Sequence, residues 1–187
     1  MRLNACRRFG AAGFTLIELM IAIAIFAILI MLGMPTFTEY LGNTQIRNAS
    51  ESILAGVRLA QAEAVKHNLR ASFILDPTAG TGGWSVVTLN EVDADVSPPA
   101  HSYAWAEGAP KVSVSRVPGT TNRVTFNGLG RIEVANPDAS APLNRIDVTN
   151  ATMSNPRPLR VVIGLVGTKL CDPDPAFVAP DPMACPP

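Results

Sequence analysis

From Phe14 to Met34 the chain reads FTLIELMIAIAIFAILIMLGM, 21 residues in which Glu18 is the sole charge. At 1.5 Å per residue a helix of that length crosses a hydrocarbon core of about 30 Å. The preceding segment, MRLNACRRFGAAG, carries Arg2, Arg7 and Arg8 and no acid. A basic segment leading into an apolar one is the layout of an export or membrane-targeting signal. The apolar part of a cleaved secretory signal is only about 7–15 residues, and a small-residue cleavage site follows it. Here the small residues Ala11, Ala12 and Gly13 come before the run, and Gly33-Met34-Pro35 closes it. A cut is therefore expected to remove the leader and keep the helix as an anchor. The leader arginines would hold that end in the cytoplasm and place the rest of the chain outside.

Glu18 constrains the reading further. An acid inside a membrane helix costs roughly 2.5–3.5 kcal/mol at the bilayer centre, so it either snorkels to the headgroups or finds a cation. A cut after Gly13 would create such a cation, the Phe14 amine of a neighbouring subunit. Gly13-Phe14-Thr15-Leu16-Ile17-Glu18-Leu19-Met20 resembles the class III signal of type IV pilins and of the pseudopilins of type II secretion. The resemblance implies that prepilin peptidase cuts between Gly13 and Phe14, that the Phe14 amine is N-methylated, and that Glu18 sets subunit register during assembly. It also implies other pilins or pseudopilins as partners. The expected location is the cell inner membrane, single-pass with a periplasmic carboxyl-terminal domain, and then a pilus or pseudopilus.

Beyond Pro35, an amphipathic helix is expected to continue through residue 70. Ile46, Ile53, Leu54, Val57, Ala60 and Ala64 recur at helical spacing, while Arg47, Glu51, Arg58, Glu63 and Lys66 fall on other faces. Pro35 and Gly42 are the expected weak points of this helix. Leu59 to Asn68, LAQAEAVKHN, resembles the segment that closes the first helix in the GspH/FimT branch of minor pilins and pseudopilins. Gly83-Trp84 and Phe126-x-Gly128-x-Gly130-Arg131 follow in that branch's order.

From residue 71 onward strands dominate. They are expected at 71–75, 83–89, 111–117, 122–126, 130–134, 144–148 and 159–165, each rich in β-branched residues and bounded by Gly, Pro, Asn or Asp. Asn127-Gly128 reads as a hairpin turn. The segment 91–110, with four acids and no Lys or Arg, reads as an acidic loop or a partner surface. The expected class is α+β, a type IV pilin-like fold with a long amino-terminal helix packed on antiparallel sheets. Its organisation is a leader over 1–13, a transmembrane helix over 14–34, its amphipathic continuation over 35–70 and a β-rich periplasmic domain over 71–187.

Little in the sequence suggests catalysis. His67 and His101 stand apart, with His67 placed to cap the helix, and neither a nucleophile motif nor a phosphate loop occurs. No ligand pattern for a metal or cofactor is present. Cys171 and Cys185 enclose a Pro- and Asp-rich stretch without C-x-x-C spacing, so in an exported domain a disulfide closing the tail is expected. The chain has 15 Lys and Arg against 15 Asp and Glu, which argues against general nucleic-acid binding. Removing the three leader arginines leaves 12 bases, a formal charge of −3, and removing Cys6 leaves two cysteines. Some FimT-like members resemble DNA-uptake receptors and carry Gly-Arg-x-Arg on the strand before the tail cysteine. Here Gly167-Thr168-Lys169-Leu170 keeps one cation, and Arg157, Arg160 and Lys169 are the candidate DNA contacts. The expected function is a minor pilin or pseudopilin of the GspH/FimT type. The alternative is a DNA-binding or adhesive minor pilin at the pilus tip.

Overall fold

Thr15 starts the helix. In the computed structural model, which describes residues 14–186, the Glu18 N–H donates to the Thr15 hydroxyl (3.2 Å) and the Leu19 N–H to the Thr15 carbonyl (3.2 Å). Thr15-Leu16-Ile17-Glu18 is thus a Thr-x-x-Glu start, with the acid in the first turn where unpaired N–H groups favour negative charge. Helix α1 runs Leu16–His67, 52 residues, through Pro35 without a break. It ends at Asn68, whose φ of 50° is the left-handed conformation of a helix cap. The Asn68 N–H donates to the Val65 carbonyl and the Leu69 N–H to the Ala64 carbonyl, both at 3.2 Å. Asn68 therefore provides the cap expected of His67, leaving the histidine ring free for another contact.

The chain divides into two units between Thr38 and Glu39. In the first, the helix carries no buried residue. In the second, α1 buries Ile46, Ala49, Ile53, Val57, Ala60 and Ala64, the expected stripe with Ala49 added and Leu54 at its margin. Two glycines allow close approach. A Cβ on Gly42 would collide with the Met153 thioether, so this position is a packing contact where the sequence suggested a weak point. A Cβ on Gly56 would stand 2.8 Å from the rings of Phe73 and Trp84.

Eight strands follow in two four-stranded antiparallel sheets. β1 (Ala71–Asp76), β2 (Gly83–Thr88), β3 (His101–Ala104) and β5 (Arg123–Phe126) form the first, in the order β3-β2-β1-β5. β4 (Ser113–Val117), β6 (Arg145–Thr149), β7 (Leu159–Gly164) and β8 (Gly167–Cys171) form the second, in the order β4-β6-β7-β8. Register sets which residues meet the helix. Phe73 stands opposite Val86 and Val124, and Leu75 opposite Trp84, so all five share the buried face. Trp84 also donates from Nε1 to the Ser52 hydroxyl of α1 at 2.8 Å. Ile146, opposite Val161, and Val148, opposite Val114, bring the second sheet into the same core.

Three local expectations require correction. Residues 130–134 do not form a strand; only Ile132 makes a bridge, to Phe126. The Asn127-Gly128 turn is a wider loop in which the Gly130 N–H donates to the Asn127 carbonyl (2.8 Å), and Gly130, at φ 74°, reverses the chain. Segment 91–110 is an ordered part of the fold. Asp93 pairs with Arg70 and Asp95 with Arg123, β3 adds an edge strand, and Trp105 is wholly buried with Nε1 donating to the Asp76 carbonyl. Within HSYAW, Trp105 is wholly buried and Tyr103 half-buried, which joins this stretch to the core despite its acidic flanks.

Candidate functional site

Phe14 opens the described chain, fully exposed, and Glu18 lies one turn into α1. Gly13, the other residue of the expected cut, lies outside the described residues, as do Cys6 and the leader arginines. From residue 14 to 41 every side chain is exposed, Phe, Leu, Ile and Met included. Its most apolar 18-residue window has a mean hydropathy of 2.8. A monomer in water rarely exposes contiguous apolar surface beyond a few hundred Å², so this segment requires lipid or other helices around it.

Cys171 and Cys185 are joined by a disulfide that closes a 14-residue separation. Cys171 is wholly buried at the end of β8, and the tail returns beside it: the Asp172 N–H donates to the Met183 carbonyl at 2.8 Å. Lys169 is drawn into the same arrangement, its Nζ donating to the Ala184 carbonyl at 2.8 Å.

The candidate DNA contacts separate. Arg160 and Lys169 project from the outer face of the second sheet, since Arg160 stands opposite Cys171 and Val162 opposite Lys169. Arg157 lies in the β6–β7 connection, its backbone N–H donating to the Asn43 side chain of α1 at 3.0 Å. Arg160 Nε donates to Asp147 at 2.5 Å, and Arg145 Nε lies 3.3 Å from the same carboxylate. Two guanidiniums thus share one acid. Arg145 is a member of this face that sequence reading missed. The alternation in Asn144-Arg145-Ile146-Asp147-Val148 was the available signal, because it puts Arg145 and Asp147 on one side of a strand.

The histidines are not isolated. Glu63, expected on a solvent face, is 9% exposed. Its carboxylate receives Lys66 Nζ at 3.2 Å and lies 3.2 Å from His67 Nε2 on the helix and 3.4 Å from His101 Nε2 on β3. Burial pushes the Glu63 carboxyl up, but the hydrogen bonds from Lys66 and His101 and the charges of Lys66 and His67 outweigh it, and the net shift is downward. Among the described residues, no group of His, Cys, Asp and Glu is arranged to hold a metal ion. The Glu63 cluster instead ties α1 to an edge strand.

An unburied apolar segment headed by Phe14 and Glu18, on a helix whose later half packs over two antiparallel sheets, defines a pilin-like filament subunit. The sequence model of the family described as type II transport protein GspH matches residues 49–167, and that of the prokaryotic N-terminal methylation motif matches residues 8–34. The chain belongs to the GspH family, whose members are structural minor pilins and pseudopilins of type IV filament systems. Similar solved structures include the type IV minor pilin FimU of Pseudomonas aeruginosa, at 14% identity over 73% of this chain and 93% of that one, with a TM-score of 0.48. The solution structure of GspH from E. coli is similar at 15% identity over 75% and 96% of the two chains, with a TM-score of 0.48. The tail that holds Cys171 and Cys185 lies past the span matched by the family model.

Proposed function

We propose that prepilin peptidase cuts this chain between Gly13 and Phe14, that the new Phe14 amine is N-methylated, and that residues 14–34 anchor the product in the inner membrane. Residues 35–70 continue the helix and residues 71–187 form a periplasmic domain. During assembly the Phe14–Met34 segment leaves lipid for the company of other pilin helices, and Glu18 pairs with the Phe14 amine of a neighbour. The role is structural, not catalytic. The observation that carries this reading is the conjunction of the methylation motif over 8–34 with an apolar segment whose side chains are all exposed from residue 14 to 41.

Glu18 is the residue to test. In cells that carry the filament machine, Glu18→Gln is expected to be processed as efficiently as the wild type yet to enter filaments poorly, because the carboxylate charge is what the amine recognises. Normal incorporation of the Gln variant would overturn the assigned pairing. A DNA receptor at the pilus tip has less support from the geometry, since Arg160 is paired with Asp147 and Lys169 is engaged by the tail. Phosphate binding depends on several cations able to displace counterions together.

A further inference from the structure

Glycine weakens a helix interior relative to alanine, yet Gly42 sits in the stretch of α1 that belongs to the globular unit. Its packing gives it a purpose. The Met153 sulfur is the atom closest to where a Gly42 Cβ would stand, ahead of Met153 Cγ and Cε at 3.1 Å each, so the thioether rests on bare helix backbone. Gly42 is a notch and Met153 the knob that fills it.

A rigid turn presents that knob. Asn150, 1% exposed, follows β6 and fixes the chain there: its Oδ1 accepts the N–H (3.0 Å) and the hydroxyl (2.7 Å) of Thr152, and its carbonyl accepts the Met153 N–H (3.3 Å). From residue 151 to 155 every side chain except that of Met153 is exposed. The β6–β7 connection touches α1 at a second point one residue further along the helix, where the Arg157 N–H donates to the Asn43 side chain at 3.0 Å. Among the described residues this is the one hydrogen bond from the connection to α1. The seat of the connection on the helix is thus a thioether and a single amide. Met153 lies outside the shared core and is half-buried, within reach of a small solute.

We propose that Met153 is a site of oxidation by hydroperoxides and that its sulfoxide releases the β6–β7 connection from α1. In the step, a sulfur lone pair attacks one peroxide oxygen. The S–O bond forms as the O–O bond breaks, the sulfur loses two electrons to the peroxide, and the remaining oxygen leaves with the proton as water or an alcohol. The product is polar where the thioether was apolar. Against Gly42 it meets no donor, because the N–H groups of an unbroken helix are taken by carbonyls one turn earlier. A sulfoxide oxygen left dry there carries the desolvation penalty of an unpaired acceptor, so the side chain turns out to water and leaves the notch. The other methionines of residues 14–186, Met20, Met31, Met34 and Met183, are all exposed, so Met153 is the one among them that oxidation would draw out of a packed position. The inference is independent of filament assembly.

The test treats the full-length chain in detergent with hydrogen peroxide, locates added oxygen by mass spectrometry of peptides, and follows hydrogen exchange over residues 39–47 and 150–160. The wild type should gain one oxygen at Met153 and exchange about fivefold faster in both stretches, the scale of one lost local hydrogen bond. Methionine sulfoxide reductase should restore mass and protection together. Met153→Leu keeps an apolar knob of similar size without the sulfur, and should show no change in exchange after peroxide even though Met183 is oxidised. Gly42→Ala fills the notch, and should show the faster exchange over 150–160 before any peroxide is added. Oxidation at Met183 with none at Met153, an oxidised Met153 with unchanged exchange, or a Gly42→Ala chain protected like the wild type would each overturn the proposal.

Discussion

Gly56 shows how a single residue sets the distance between helix and sheet. The Phe73 and Trp84 rings occupy the space a side chain would need, so Gly56→Leu should destabilise the globular unit by about 1–3 kcal/mol through overpacking, read as a fall in the melting temperature of the detergent-solubilised chain. Glu63 has a pH-dependent role. Its folded carboxyl titrates below its ordinary value of 4.5, so the stability it contributes is present above that value and lost as pH falls through the lower folded value. Glu63→Gln should lower the melting temperature at neutral pH, and the gap to wild type should close in acid; a gap that stays constant down to pH 3 would contradict the assignment. Neither residue announced itself in the sequence. Glu63 sits beside Lys66 and His67 like any solvated helix face, and only the arrival of β3 from residue 101 encloses it.

Among the elements, the helix was the most legible, because its two signals are local: an uninterrupted apolar run and then a 3.6-residue stripe. The cap at its first turn went unread, although Thr15-x-x-Glu18 follows a general capping pattern. Most strands could also be read, from β-branched alternation between turn residues. Those misread depended on distant partners. Residues 130–134 alternate like a strand yet make a single bridge, Ile132 to Phe126, with backbone bonds to Thr125 and Asn127 beside it, and His101–Ala104 lacks β-branched residues yet pairs with β2. Pairing overrides propensity at sheet edges. The tail is held differently, by one covalent link and a few backbone bonds. Replacing both Cys171 and Cys185 with Ala should cost about 2–4 kcal/mol, measured by denaturant unfolding under non-reducing conditions. An unchanged midpoint would mean that the bonds to Asp172 and Lys169 hold the tail unaided.

At the scale of the whole molecule, the anchor segment and the globular unit have different requirements. One exposes apolar surface along its full length, and the other encloses a shared core between α1 and two sheets. Family membership gives both a common purpose in a filament. What the sequence could not convey at this scale was surface geometry: that Arg160 would face Asp147 and that Arg157 would lie apart from it. Each depends on register and loop placement, which residue patterns do not specify. The most direct test of the filament-subunit role is mass spectrometry of the amino terminus of this chain, recovered from cells with active prepilin peptidase. The expected result is a mature chain that begins at N-methylated Phe14, without Met1 to Gly13; an intact leader, or an uncut Gly13–Phe14 bond, would contradict the proposed processing.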